Sequence, residues 1–276
     1  MPGRRPNPPT PHQTSTLSKS GSQIFSFTEH TDQSDSAETG CAELSLLLVL
    51  TGRLKLGTRY TFIPGDVTSL QSLQSLQLEP GTKLWQITGP SELLGDLEQL
   101  ATRLRHKDAE VAAHGARVAL LARDIGQHLG FSAPRSEQLG LGAYLHDVGK
   151  LGLPTHILQT PDSLTPCEWQ LMTQHPSYGR QLLETTTLAF LAPAIEQHHE
   201  RLDGSGYPFG LGGDAVAVEG YIIAVADTFD AITHARPYRQ ARSPEAALSE
   251  INRYSGLLYP CEVVGALNAV TRSFSC

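Results

Sequence analysis

From about Lys107 to the C-terminus, no stretch of this sequence alternates apolar and polar residues as a half-buried strand does. Helical spacing and helix punctuation take its place. Val118, Leu120, Leu121 and Ile125 form an apolar face that ends near Gly130. Thr165-Pro166-Cys167-Glu168 combines a capping box with proline at the first helical position, and Ser243-Pro244-Glu245 opens another helix by the same logic. More than half of the 276 residues is thereby confined to an all-helical fold.

Ahead of this region the pattern changes. In residues 89–106, a helical linker, Ser91 follows Gly89-Pro90 as a cap. Leu93, Leu97, Leu100, Leu104 and Val111 then lie on one heptad seam, interrupted by Lys107. The seam suits packing on the chain's own domain and pairing with a second copy equally, so a homodimer through the 91–111 helix stays open. Residues 41–88 read as short strands and turns. The run Leu46–Leu50 closes at Thr51-Gly52, Leu54 and Leu56 flank Lys55, Tyr60 and Phe62 alternate, Pro64-Gly65-Asp66 is a turn, and Leu84, Trp85 and Ile87 suggest a last strand. This segment resembles the small β-barrel of cupin and cyclic-nucleotide-sensor domains, without their histidines or arginine cassette, and is expected to be a regulatory domain. The Ser-Leu-Gln triplets from Ser69 to Gln77 fit neither helix nor strand. Residues 1–40 are rich in Pro, Ser, Thr and Gln, bury little, and are expected to be a disordered tail.

Net charge is -7, from 21 Lys+Arg against 28 Asp+Glu, which argues against duplex DNA as a partner. Cys41, Cys167, Cys261 and Cys276 are too scattered for a disulfide framework or a zinc ribbon. The longest apolar run falls far short of the ~20 residues of a membrane helix, and no secretory signal is visible. No membrane association and a cytoplasmic location are the expectations.

The histidines are placed unevenly. His146 precedes Asp147, His198 adjoins His199, and Glu110 and His114 stand four apart on one helix face. Asp227 ends the apolar stretch Ile222–Ala226, where an unpaired carboxylate would be costly. Imidazole with carboxylate and no thiolate suits Fe or Mn better than a closed zinc site.

His146-Asp147-Val148-Gly149-Lys150, followed by His198-His199-Glu200-Arg201 and Gly206-Tyr207-Pro208, resembles the HD-GYP family, a branch of the HD phosphohydrolases that hydrolyses cyclic di-GMP. Gln174-His175-Pro176-Ser177-Tyr178-Gly179, Asp227-Thr228-Phe229-Asp230-Ala231 and Arg236-Pro237-Tyr238-Arg239 resemble its further elements. The match runs from about Glu110 to Val264. Two departures stand out: His234-Ala235 after Thr233, and Tyr259-Pro260-Cys261 where the family has Phe-Asp-Pro.

The resemblance implies metal ligands at His114, His146, Asp147, His175, His198, His199 and Asp227, with Glu110 the extra ligand of members holding three ions. It implies two or three divalent metal ions, Fe or Mn. Asp147, as bridging carboxylate, and Lys150, beside the scissile phosphate, would be catalytic. Lys150, Gly206, Tyr207, Arg236 and Arg239 would contact substrate. The implied fold is α+β and multidomain: an all-α HD-type bundle over 107–276, preceded by the linker and the small β-barrel-like domain. The implied reaction converts cyclic di-GMP to pGpG or GMP, with a signalling-protein partner in prospect. Another cyclic dinucleotide such as cyclic GMP-AMP, or a non-catalytic receptor, is the alternative.

Overall fold

The computed structural model describes residues 14–16, 26–30, 45–51, 54–56, 60–69, 76–78, 82–160, 162–235 and 240–273. Eight strands come first: β1 (Thr14–Thr16), β2 (Ser26–His30), β3 (Ser45–Thr51), β4 (Leu54–Leu56), β5 (Tyr60–Phe62), β6 (Val67–Ser69), β7 (Leu76–Leu78) and β8 (Lys83–Thr88). They form one five-stranded sheet, ordered β1-β2-β8-β3-β6, and one three-stranded sheet, ordered β5-β4-β7. All described pairings are antiparallel. Both sheets are open, so the described strands do not make the expected barrel.

Within residues 1–40, where a tail without order is the expectation, the described residues are the strands β1 and β2. The reason for the strands is non-local pairing: β2 lies against β8, with Thr28 opposite Gln86, and supplies backbone partners that its own composition does not advertise. The triplet run begins in β6 and its later part falls in β7, while residues 70–75 lie outside those described.

The five-stranded sheet shares its core with the helices. Leu46 pairs with Ile87 and Leu48 with Trp85, and these four, with Leu50, join one apolar cluster that includes Leu93, Leu97, Ala116, Leu139 and Tyr144. The alternate residues Leu47, Val49 and Leu84 are buried as well, which is why β3 reads as an unbroken apolar run. The Pro64–Asp66 turn fixes the contact further. Tyr144 Oη donates to Gly65 O at 2.8 Å, and Arg105 pairs with the buried carboxylate of Asp66 at 2.5 Å.

The helices are α1 (Ser91–Lys107), α2 (Ala109–His128), α3 (Ala133–Tyr144), α4 (Thr155–Gln159), α5 (Pro166–Met172), α6 (His175–Glu184), α7 (Ala192–Gln197), α8 (Val218–Thr233), α9 (Pro244–Asn252) and α10 (Cys261–Ser273). Ser91 is the first helical residue rather than the cap; Pro90 takes the cap position, with no side-chain cap hydrogen bond. Arg105 and Lys107 close α1 with positive charge, which suits the carboxyl end of the helix dipole. Thr165 and Glu168 make the expected capping box, and Ser243 accepts from Ala246 N–H.

The 91–111 helix is two helices. Asp108 ends α1 and caps α2, accepting from Glu110 N–H at 2.9 Å. Leu93, Leu97, Leu100 and Leu104 are fully buried in the chain's own core, so this seam is filled without a second copy. Each such leucine contributes roughly 1.5–3 kcal/mol by leaving water. Among the described residues, no helix is long and apolar enough to cross a membrane.

Candidate metal centre

Five segments deliver seven of the expected ligands to one place. His114 comes from α2, and Asp227 from α8, which packs beside it. His146 and Asp147 sit between α3 and a 3-10 helix at Val148–Gly152. His175 begins α6, and His198 and His199 follow α7. Gly149 lets the 3-10 helix close on α6. A Cβ there would stand 1.8 Å from His175 O, so the glycine of the His-Asp motif is a packing requirement.

Three groups have ligand atoms within 4.8 Å of one another: His114 with His146 and Asp227, His146 with Asp147 and His198, and His175 with His198 and His199. His146 and His198 are each shared, so the groups run together as a row.

The imidazoles are aimed by their far nitrogens. His146 Nδ1 donates to Ala143 O at 2.7 Å, His175 Nδ1 to Met172 O at 2.8 Å and His198 Nδ1 to Ile195 O at 2.6 Å. A carbonyl only accepts, so each Nδ1 carries hydrogen and each Nε2 presents its lone pair to the row. His175 Nε2 lies 3.3 Å from His198 Nε2, and also 3.3 Å from Asp147 Oδ1. Facing lone pairs beside a carboxylate make a cation site, and the donor set fits a divalent metal ion.

Burial and the adjacent histidines hold His198 well below the ordinary histidine range, and burial with His175 does the same for His199. Burial would push the Asp147 carboxyl up, but Lys150, His146 and His175 hold it well below the usual range. Asp227 is likewise kept ionised against burial, by His114, His146 and His199. His198 and His199 are thereby held as neutral imidazoles, and Asp147 and Asp227 as ionised carboxylates, the forms that bind metal.

His114 is held differently. Its Nε2 lies 3.0 Å from Asp227 Oδ1 and its Nδ1 2.6 Å from Asp230 Oδ2. Burial opposes its charge, but hydrogen bonds to the two aspartates outweigh that and raise it to about 9. Arg117 Nε in turn donates to Asp230 Oδ1 at 2.8 Å.

The other expected residues are distributed around the row. Lys150 Nζ is 2.6 Å from Asp147 Oδ2. Tyr207 stacks on His199, with ring centroids 4.6 Å apart. Gly206 lies so close to the His199–Arg201 backbone that a Cβ would come within 2.4 Å of His199 O. Glu110 belongs to none of the three groups; its carboxylate, 58% exposed, pairs with Arg117 at 2.9 Å. Arg236 and Arg239 lie outside the described residues.

Residues 98–263 match the HD domain family. The chain belongs to the HD domain family. Curated relatives of this HD domain include a cyclic di-GMP phosphodiesterase of Thermotoga maritima, 40% identical over 173 residues, or 62% of this chain and 47% of the relative. The cyclic di-GMP phosphodiesterase response regulator RpfG of Xanthomonas campestris pv. campestris is 38% identical over 174 residues, 62% of this chain and 46% of its own. A 3'3'-cGAMP-specific phosphodiesterase 2 of Vibrio cholerae is 33% identical over 171 residues, 61% of this chain and 33% of its own. The chain spans about half the length of the first two, and less of the third.

Three residues of this HD domain support the row and were given no role from sequence: Asp230, Arg117 and Glu200. Asp230 stands one helical turn beyond Asp227, a spacing that marks a shared helix face. Glu200 is fully buried, and its carboxylate accepts from Phe209 N–H at 2.8 Å and Leu211 N–H at 2.9 Å. It pins the Gly206-Tyr207-Pro208 loop against the histidine pair. A charged residue that must be buried beside a glycine-rich loop was the available signal.

Proposed function

We propose that this chain is a metal-dependent phosphodiesterase that hydrolyses cyclic di-GMP to pGpG or GMP. The observation that carries the reading is the row of overlapping His/Asp groups with every backbone-anchored Nε2 facing inward. Two relatives near 40% identity bear the name cyclic di-GMP phosphodiesterase, which supports the substrate.

The ligands would be His114, His146, Asp147, His175, His198, His199 and Asp227, with Glu110 reserved for a third ion, and Fe or Mn suits such donors. Bound there, divalent ions would supply a nucleophile at neutral pH and neutralise phosphoryl oxygens. Asp147 keeps Lys150 in register with the row, and Lys150 supplies fixed positive charge where the phosphoryl oxygens gain negative charge. Tyr207, seated on His199 and held through the Glu200 clamp, bounds the substrate side of the pocket and narrows access of bulk water. Arg236 and Arg239, by resemblance, would hold phosphates and guanine bases.

Cyclic GMP-AMP is the second reading, favoured by the Vibrio cholerae relatives named for it. A cytoplasmic setting fits the free thiols of Cys167 and Cys261, and a signalling partner for the sheet region belongs to the same proposal. The test is turnover on protein whose metal content has been measured after loading with Mn(II) or Fe(II). Cyclic di-GMP should yield pGpG or GMP, and His146→Ala with Asp147→Ala should abolish it. Preferential turnover of cyclic GMP-AMP would install the second reading, and tight binding without turnover would make the chain a receptor.

A further inference from the structure

The chain has two tryptophans, and they are used in opposite ways. Trp85 is fully buried in the sheet–helix core, whereas Trp169 is 52% exposed. Its backbone is not loose. Trp169 N–H donates to Thr165 O at 2.8 Å, inside a helix started by the Thr165–Glu168 capping box. A large aromatic ring is thus held at the surface by a rigid turn, six residues before His175, which opens α6. No residue of α5 is buried, so the ring is not there to fill a core.

What the ring touches gives it a direction. It meets Tyr207 edge-on, with centroids 6.0 Å apart and planes at 77°. Tyr207 stacks on His199, and it also stands 6.5 Å from His175. Rings therefore run outward from two members of the metal row, through Tyr207, to the open Trp169. One intervening ring separates the ligands from the tryptophan, 4.6 Å from His199 on one side and 6.0 Å from Trp169 on the other, centroid to centroid.

We propose that Trp169 is a base-stacking subsite: one nucleobase of the substrate lies on its exposed ring while a phosphodiester sits at the His/Asp row. Exposed aromatic faces bind bases through the π-face that every base possesses, with little demand on base identity. The subsite therefore contributes affinity and orientation, and leaves the choice between guanine and adenine to other groups. This inference rests on the reading of the row as a phosphodiesterase centre.

The test uses the full chain loaded with Mn(II). Trp169→Ala should raise KM for cyclic di-GMP about tenfold, the scale of one lost stacked base, with kcat within about twofold. Trp169→Phe should restore most of that KM. Independently, GMP should quench tryptophan emission of the wild type on excitation at long wavelength, while ribose 5-phosphate, which has no base, should not. The Trp169→Phe protein, left with the buried Trp85, should show no quench. An unchanged KM in Trp169→Ala, a quench equal with ribose 5-phosphate, or a quench that survives in Trp169→Phe each overturns the subsite. Wild-type protein that fails to hydrolyse cyclic dinucleotides but is still quenched by GMP sinks the phosphodiesterase reading and leaves the base site standing. Active wild type without the quench does the reverse.

Discussion

The two ends of the histidine row are held by different kinds of structure. At one end, His114 is aimed by a side chain: Asp230 takes its Nδ1, and Arg117 steadies Asp230. At the other, His175 and His198 are aimed by main-chain carbonyls three residues back. A side-chain support can be removed with the helices left intact; a backbone support moves only if the helix end moves. The side-chain end is therefore the adjustable one, and mutations should separate the two.

The largest effect is expected from His198→Ala, because His198 belongs to two of the three groups. Activity should fall by on the order of a thousandfold or more, and bound metal should fall with it by elemental analysis. Asp230→Asn preserves shape but weakens the hold on His114. Metal affinity should drop about 10–100-fold at that end alone, as losing an outer-shell partner does. A chelator titration in which both ends weaken together would erase the distinction drawn above. Glu110→Ala should lower the metal count by one ion while changing stability by less than ~1 kcal/mol, since its partnership with Arg117 is exposed. Unchanged stoichiometry would assign Glu110 to Arg117 only. Smallest at the row, and away from it in the fold, is the effect of Tyr144→Phe, which removes the hydrogen bond to Gly65 O at the sheet–helix contact. It should cost about 1 kcal/mol in denaturant unfolding and leave metal content untouched.

The adjustable end was also the less legible one. His146-Asp147 and His198-His199 announce themselves because imidazole and carboxylate stand beside apolar runs, where they need a partner. Asp230 has no such mark: three residues after Asp227, it reads as an ordinary charge on a helix face. Trp169 reads as an apolar position in a short helix, because sequence spacing does not say that Tyr207 folds over to meet it. In the fold, the run Leu46–Leu50 and the Pro64-Gly65-Asp66 turn could be placed from composition alone. The β2 strand could not, since its order comes from β8, far along the chain. The break between α1 and α2 was available in Asp108, a good cap, but the heptad seam runs across it and hides the stop.

The carbonyl anchors of His146, His175 and His198 belong to Ala143, Met172 and Ile195, and none involves a side chain. The bonds themselves therefore set no residue type at those positions; at Ala143 and Ile195, both fully buried, packing sets it. What the ligands do report is whether three separate helix ends are closed at the same moment. An ion bound across them stabilises only the closed form, by about 2.7 kcal/mol when its concentration is a hundred times its dissociation constant. Amide hydrogen exchange at those three ends should slow together as metal is added, so that distant stretches of chain open and close as one cooperative unit.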